Sequence, residues 1–394
     1  MKIINFFFIN YKKFFLILII LFFALNYLRT INFGFVDDDI NLVGKSFEEI
    51  INNSVNGIHF RPIWYSSFFI VDFFFGPSAF AHHIVNIILH FINLYLAYYV
   101  FKVLLNENKS LIIVFFWTFL PQLVFQIAWI SGKNDLLMNF FLLLSLLLAT
   151  NFKMKTSLGF YILSFLSKPT CIFFPIIYLT NLGFKSTKKI KIIAIIILLI
   201  TILISGLAAS VGTLQPHIAE LSVYLRVLNA IKNLIIGWIT IFYPLPFFPN
   251  YLIAAIYTLF ISLVIYVLLK TYKINKISIL FFLISILISI TLSINYSLRI
   301  TYTLSLFVIA TVVSLIDFKN LNLLRYNKII KIIIILSFLV YASFSTFLVT
   351  SKFKSDKFNI NQKPYIIKEY YLNNFYSKFR LLQIELLRYI RSQI

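Results

Sequence analysis

The sequence predicts an all-α integral membrane protein of about nine to eleven spans, some of its helices being re-entrant or interfacial half-helices. Three observations predict it. The 394 residues are 61% hydrophobic and only 12% charged, where a soluble domain carries roughly 25% charged residues. The mean hydropathy is +0.93, so a water-facing fold would lack the polar residues to cover itself. The apolar runs are long rather than alternating. One helical span needs roughly 20 such residues, and an outer-membrane barrel would need short alternating strands instead.

The net charge is +22, from 35 Lys and Arg against 13 Asp and Glu. In a soluble chain that excess would point to nucleic acid. Here the basic residues gather at the ends of apolar runs, as the positive-inside rule requires, and no nucleic-acid partner is expected. The single cysteine, Cys171, excludes a disulfide framework or a cysteine metal site within the chain.

Taken in order, 14–28 is an uncleaved first span with its N-terminus in the cytoplasm: Lys2, Lys12 and Lys13 precede it and no small-residue cleavage site follows. Residues 31–79 form an outer loop followed by a short aromatic, interfacial segment that opens at Arg61-Pro62, carries Asp72 and closes at Gly76-Pro77. Spans follow at 80–105, 111–130 and 136–150, with 131–135 as a tight outer turn. Residues 157–180 have basic flanks on both sides and a break at Ser167-Lys168-Pro169, which suits a re-entrant hairpin of two half-helices. Further spans are expected at 192–209, 250–269, 277–294, 301–316 and 329–349, with interfacial or re-entrant chain within 213–249. The membrane domain thus runs over 1–350. The tail, 351–394, repeats apolar residues at three- and four-residue spacing among Lys and Arg, which makes a basic amphipathic helix for the lipid surface.

Four features could carry chemistry. Asp37-Asp38-Asp39 crowds three carboxylates just past the first span; a carboxylate there can act as a general base or remain a solvated turn. Arg61-Pro62, with His59 before it, sets a permanent cation suited to phosphate, or to snorkelling toward headgroups. His82 precedes His83, Asn86 and His90, which share one helix face at i, i+3 and i+7. Polar side chains at such depth face the bundle interior, where they hydrogen-bond other helices or hold a divalent metal. Finally, Lys168 at the hairpin break and Arg299 at the head of a span are cations within the membrane. A buried cation costs about 2.5–3.5 kcal/mol there, so Lys168 needs a phosphate or a carboxylate such as Asp72 or Asp135.

In their order along the chain, Phe35-Val36-Asp37-Asp38-Asp39, Arg61-Pro62, Gly76-Pro77, His83-x-x-Asn86-x-x-x-His90, Trp129-Ile130-Ser131-Gly132-Lys133-Asn134-Asp135, Ser167-Lys168-Pro169 and Arg299-x-x-Tyr302 resemble the membrane glycosyltransferases of the C-type fold. The likeness is greatest to transmembrane O-mannosyltransferases that carry tetratricopeptide repeats, and to their bacterial relatives. It covers about residues 14–316 and lacks the repeats. Against the pattern of that family, Lys133 stands where Arg is common, Pro169 follows the hairpin lysine where Glu is common, and Leu298 precedes Arg299 where Glu is common. These departures bear on protein O-mannosylation more than on sugar transfer from a lipid phosphate.

The resemblance implies an inverting transferase that moves a sugar from a polyprenyl-phosphate donor to an acceptor protein, glycolipid or polymer at the outer face of a bacterial plasma membrane. It assigns the catalytic base and acceptor binding to the acidic pair, Asp38 and Asp39, with Asp37 the alternative by one register. It assigns the donor phosphate to Arg61, Lys168 and Arg299. His83, Asn86, His90, Lys133, Asp135 and Tyr302 would shape the site. No cofactor is required, and a divalent metal is permitted. A flippase for a lipid-linked sugar and a non-catalytic scaffold are the other readings.

Overall fold

A computed structural model describes 17–21, 23–24, 27–35, 39, 42–46, 48–49, 52, 61–151, 153–179, 187–211, 276–292 and 301–315. Asp37, Asp38, His59, Arg299, the spans expected at 250–269 and 329–349, the 213–249 stretch and the tail lie outside the described residues.

The described residues are helical, with no strand among them. A short 3-10 turn, Leu28–Asn32, leads out of the first helical stretch. Helix α1, Pro62–Phe75, has Pro at its first position, where the missing N–H costs nothing, and ends at Gly76 with φ 68°. That left-handed glycine turns the chain into α2, Ala79–Leu104, whose N-cap Ser78 accepts from the Ala81 N–H. Helix α3, Glu107–Thr118, is capped by Asn106, whose Oδ1 accepts from the Lys109 N–H at 2.9 Å.

The single span expected over 111–130 is corrected here. Helix α3 stops at Thr118 and a separate α4, Pro121–Ala128, follows. Pro121 has no N–H to donate back and disfavours helical geometry at Leu120, so the apolar run breaks there. A 3-10 turn, Ile130–Gly132, then opens directly into α5, Lys133–Thr150.

Helix α6, Met154–Ser167, folds back on α5 as a hairpin. It ends where the sequence predicts: Lys168 is extended and Pro169–Cys171 forms a 3-10 turn. Among the described residues up to 179, the next α-helix is α7, Ile176–Leu179. The Tyr178 hydroxyl meets Ser145 Oγ at 2.9 Å and Ser157 Oγ at 2.5 Å, tying α7 to both arms of the hairpin. Helices α8, Lys188–Val211, α9, Lys276–Leu292, and α10, Thr301–Leu315, complete the described set, and α10 packs against both α9 and α3. Among the described residues, two helical segments are long and apolar enough to cross a membrane: Ala79–Leu104 and Ile130–Thr150, the latter α5 with its preceding turn.

Helix α2 is polarised inside out. His83, Asn86, His90 and Asn93 are fully buried along one face, while Phe80, Ile88, Phe91, Tyr95 and Val103 are exposed along another. The buried face is the one that His83, Asn86 and His90 predict, extended one turn by Asn93.

Candidate functional site

The site gathers on the first turn of α5. The sequence reads 131–135 as a tight outer turn, and in the fold this turn is buried. Lys133 is 0% exposed and Asp135 is 2% exposed. Helix α1 covers the turn: Trp64 Nε1 donates to the Ser131 carbonyl at 3.1 Å. Gly132 is required by space, since a Cβ there would run into the Gln126 carbonyl oxygen. On the other side, Asn86 Nδ2 donates to the Trp129 carbonyl at 3.1 Å, and the Ile127 and Ile130 carbonyls lie at 3.4 Å. One amide thus gathers three successive backbone carbonyls where α4 gives way to the turn.

Lys133 and Asp135 then sort charge into two groups. Lys133 lies in the field of two carboxylates, Asp39 and Asp72. Its Nζ is 2.8 Å from His82 Nδ1 and sits over the Phe68 ring at 4.3 Å from the centroid. His82 Nε2 lies 2.8 Å from Asp72 Oδ1. An ammonium only donates, so His82 accepts at Nδ1, carries its proton on Nε2 and donates it to Asp72. Asp72 Oδ2 accepts from the Gly44 N–H at 2.8 Å. Gly44, at φ 74°, belongs to the first loop.

Asp39 is the described member of the acidic triplet. It is fully buried, and its Oδ1 accepts from both the Ser131 N–H at 2.8 Å and the Ser131 hydroxyl at 2.6 Å. Its backbone carbonyl accepts from the Leu42 and Val43 N–H groups. Asp39 therefore fastens the first loop to the α4–α5 turn. Further along that loop, the Ser46 backbone N–H holds the Glu49 carboxylate below its ordinary range, helped by Lys45. Ser46 Oγ returns a bond to the Glu49 N–H, which closes a capping box.

The second group has the opposite balance. Lys168 Nζ lies 2.5 Å from Asp135 Oδ2, both groups buried. The carboxylate is thus the counter-ion that a buried Lys168 needs. Arg61 acts through space on both Asp135 and Lys168, and its guanidinium stands 5.5 Å from the Trp64 ring centroid. Two cations share one carboxylate here.

Deeper along α2, His90 Nδ1 meets the Tyr302 hydroxyl at 2.6 Å. Asn93 Nδ2 donates to the Leu136 carbonyl at 2.9 Å and reaches the same hydroxyl at 3.3 Å. Trp117 Nε1 donates to the Tyr302 carbonyl at 3.2 Å. His90 and Tyr302 are thus a joint between helices rather than part of either charge group. His83 packs edge-on to Phe33, with the backbone of Gly34 and Ile127 close to its ring.

The fold brings Asp39, Arg61, Lys133, Asp135 and Lys168 into one region with Asp72 and His82. Sequence reasoning gives His82 no partner and offers Asp72 only as a counter-ion for Lys168. Asp72 and His82 lie ten residues apart around a Gly-Pro corner, and that corner is the one local signal of their meeting. Among the described residues, no three or more His, Cys, Asp or Glu side chains are arranged to hold a metal ion.

No family model, no curated protein and no solved structure matches this chain.

Proposed function

We propose that this chain is an inverting membrane glycosyltransferase of the C-type fold, taking its sugar from a polyprenyl-phosphate donor at the outer face of a bacterial plasma membrane. One observation carries the reading. Among the described residues, two cations, Arg61 and Lys168, stand around the Asp135 carboxylate, and beside them two carboxylates, Asp39 and Asp72, stand around Lys133. The two sets are joined through Lys133 and Asp135, two residues apart on one helical turn. Sugar transfer from a lipid phosphate needs both: a cationic seat for the departing phosphate and a carboxylate to take the acceptor's proton.

In this mechanism Asp39 anchors the loop through Ser131, and its neighbour Asp38 is the base that deprotonates the acceptor hydroxyl. The hydroxyl oxygen attacks the anomeric carbon in line, and the bond to the phosphate oxygen breaks. Arg61 and Lys168 receive the charge that gathers on the phosphate, with Arg299 joining them as the resemblance implies. Asp135 keeps Lys168 charged and in place while the seat is empty. The acceptor is a protein, a glycolipid or a polymer.

The test supplies purified protein with a panel of radiolabelled polyprenyl-phosphate sugars and an acceptor extract. Release of label by the wild type and not by Asp38→Asn supports the reading and names the sugar. Bound but uncleaved donor, with binding weakened by Arg61→Ala, would replace it with transport of the lipid-linked sugar.

A further inference from the structure

We propose that Trp64 is the positioning residue of the donor site: its ring holds the Arg61 guanidinium in the phosphate seat, and its indole N–H fixes that seat against the turn that anchors the acidic loop. This rests on the transferase reading above. Of the two cations in the seat, Lys168 is fixed by its direct contact with Asp135. Arg61 stands just ahead of α1, with its carbonyl accepting from the Tyr65 N–H. Its backbone is therefore set, while its long side chain has many rotamers to lose.

The Trp64 ring narrows that choice. Three residues along the chain from Arg61, it faces the guanidinium at 5.5 Å from the ring centroid, which is a cation–π distance. The charge balance explains why a ring stands there. The Lys168 ammonium repels the Arg61 guanidinium, and the Asp135 carboxylate attracts it. A second carboxylate would hold Arg61 more strongly but would neutralise the seat. A ring face attracts the cation through its quadrupole and leaves the net positive charge for the phosphate.

Trp64 can act as a brace because it is itself held. It is buried in a small apolar cluster with Phe35, Leu42 and Val43 of the first loop, Phe68 of α1 and Ile130 of the turn. Phe68 stands edge-on to it at 5.6 Å. Its Nε1 donates to the Ser131 carbonyl at 3.1 Å, and the N–H and hydroxyl of the same serine hold Asp39 Oδ1. One side chain thus meets the phosphate seat with its face and the anchor of the acidic loop with its edge. The face sets affinity for the donor phosphate, and the N–H sets the register between the seat and the acidic loop.

Two substitutions separate these contacts. Trp64→Leu removes both the ring and the N–H, whereas Trp64→Phe keeps a ring and removes the N–H. The probe is a sugar-free polyprenyl phosphate titrated into purified protein in nanodiscs. Trp64→Leu should weaken its binding about five- to thirty-fold, the range of a desolvated cation–π contact, and Trp64→Phe should recover most of the loss. In an Arg61→Ala background, Trp64→Leu should weaken binding no further. Equal weakening with and without Arg61 overturns the brace, as does wild-type binding by Trp64→Leu. Binding by Trp64→Phe as poor as that by Trp64→Leu does the same. In sugar transfer, Trp64→Phe should lower kcat with little change in the donor KM, and a kcat equal to that of the wild type overturns the role given to the N–H. If Trp64→Leu does not fold, fluorine NMR of fluorotryptophan-labelled protein takes its place. The chain has four tryptophans, and Trp64→Phe assigns the relevant signal. Arg61→Ala should move that signal, and a signal it leaves in place overturns the brace. Should the wild type bind polyprenyl phosphate yet cleave no donor, the transferase reading fails alone, and the binding and fluorine measurements still decide whether Trp64 holds Arg61.

Discussion

Lys168 Nζ stands 2.5 Å from Asp135 Oδ2 across 33 residues of chain, with both side chains sealed from solvent. A pair of this kind is expensive to break and cheap to replace. Removing one partner strands a buried charge, at about 3–5 kcal/mol, whereas apolar replacement of both is close to neutral. Asp135→Asn should therefore lower the thermal unfolding midpoint in detergent sharply. Asp135→Leu with Lys168→Met should restore it while abolishing donor binding. Equal losses in the single and the double variants would show that the pair is not the source of the effect.

Asp38 and Asp39 should separate stability from chemistry. Asp39→Ala removes the acceptor for both the Ser131 N–H and hydroxyl, charge-assisted bonds worth about 1.5–3 kcal/mol each. It should expose the 131–135 turn to proteolysis. Asp38→Asn should leave the fold untouched and lower transfer by about 10²–10⁴. Limited proteolysis beside a turnover assay reads both.

Gly132 tolerates no side chain. The Cβ of Gly132→Ala would collide with the backbone oxygen of Gln126, which cannot swing aside as the Gln126 side chain could. Overpacking of this kind costs about 1–3 kcal/mol, and relief requires α4 and α5 to move apart. Denaturant titration should show the loss, and donor binding should fall with it because Lys133 and Asp135 ride on the same turn.

Tyr302→Phe removes the hydroxyl shared by His90 and Asn93. The stranded buried groups cost about 1–3 kcal/mol. The expected result is a lower unfolding midpoint with sugar selection unchanged, because the hydroxyl's hydrogen bonds go to His90 and Asn93 rather than to a member of either charge group. A changed choice of sugar would move Tyr302 into the binding site.

The first loop should loosen in acid. The Ser46 N–H and Lys45 hold Glu49 below its ordinary value of 4.5. A carboxyl whose folded value is depressed stabilises above its unfolded value and loses that contribution as pH falls through the folded one. Hydrogen exchange at the Ser46 amide should thus be slow at neutral pH and accelerate below about 4.5. Glu49→Gln should flatten that dependence. An unchanged pH profile in Glu49→Gln would place the source elsewhere.

Local signals are the ones the sequence carries well. Apolar length predicts α2 as 80–105, and the helix runs over Ala79–Leu104. The break at Lys168-Pro169 is legible because proline acts on its own neighbours. Pro121 carries the same message, but it lies inside a run whose hydropathy reads as one span. The Asp135–Lys168 pair is legible as one of two counter-ions a buried lysine could take, but the burial of Lys133 is not, since five consecutive small and polar residues look like a plain turn. Only the approach of α1 and the Lys168 break supplies their cover and counter-ions. The His82–Asp72 contact depends on the angle between α1 and α2, which the backbone at Gly76 sets and no periodicity reports.

The polar face of α2 also dictates an order of assembly. Asn86 finds its carbonyls at 127–130, Asn93 finds one at Leu136, and His90 waits for Tyr302, 212 residues later. In lipid each of these groups is costly until it is met. As the chain emerges from the ribosome, α2 alone would therefore be a poor lodger in the bilayer. Synthesis of the α4–α5 turn makes it a stable one, and α10 closes its last open joint. Biogenesis should accordingly stall in truncations that end before residue 136, and those ending before Tyr302 should insert yet stay open to quality-control proteases.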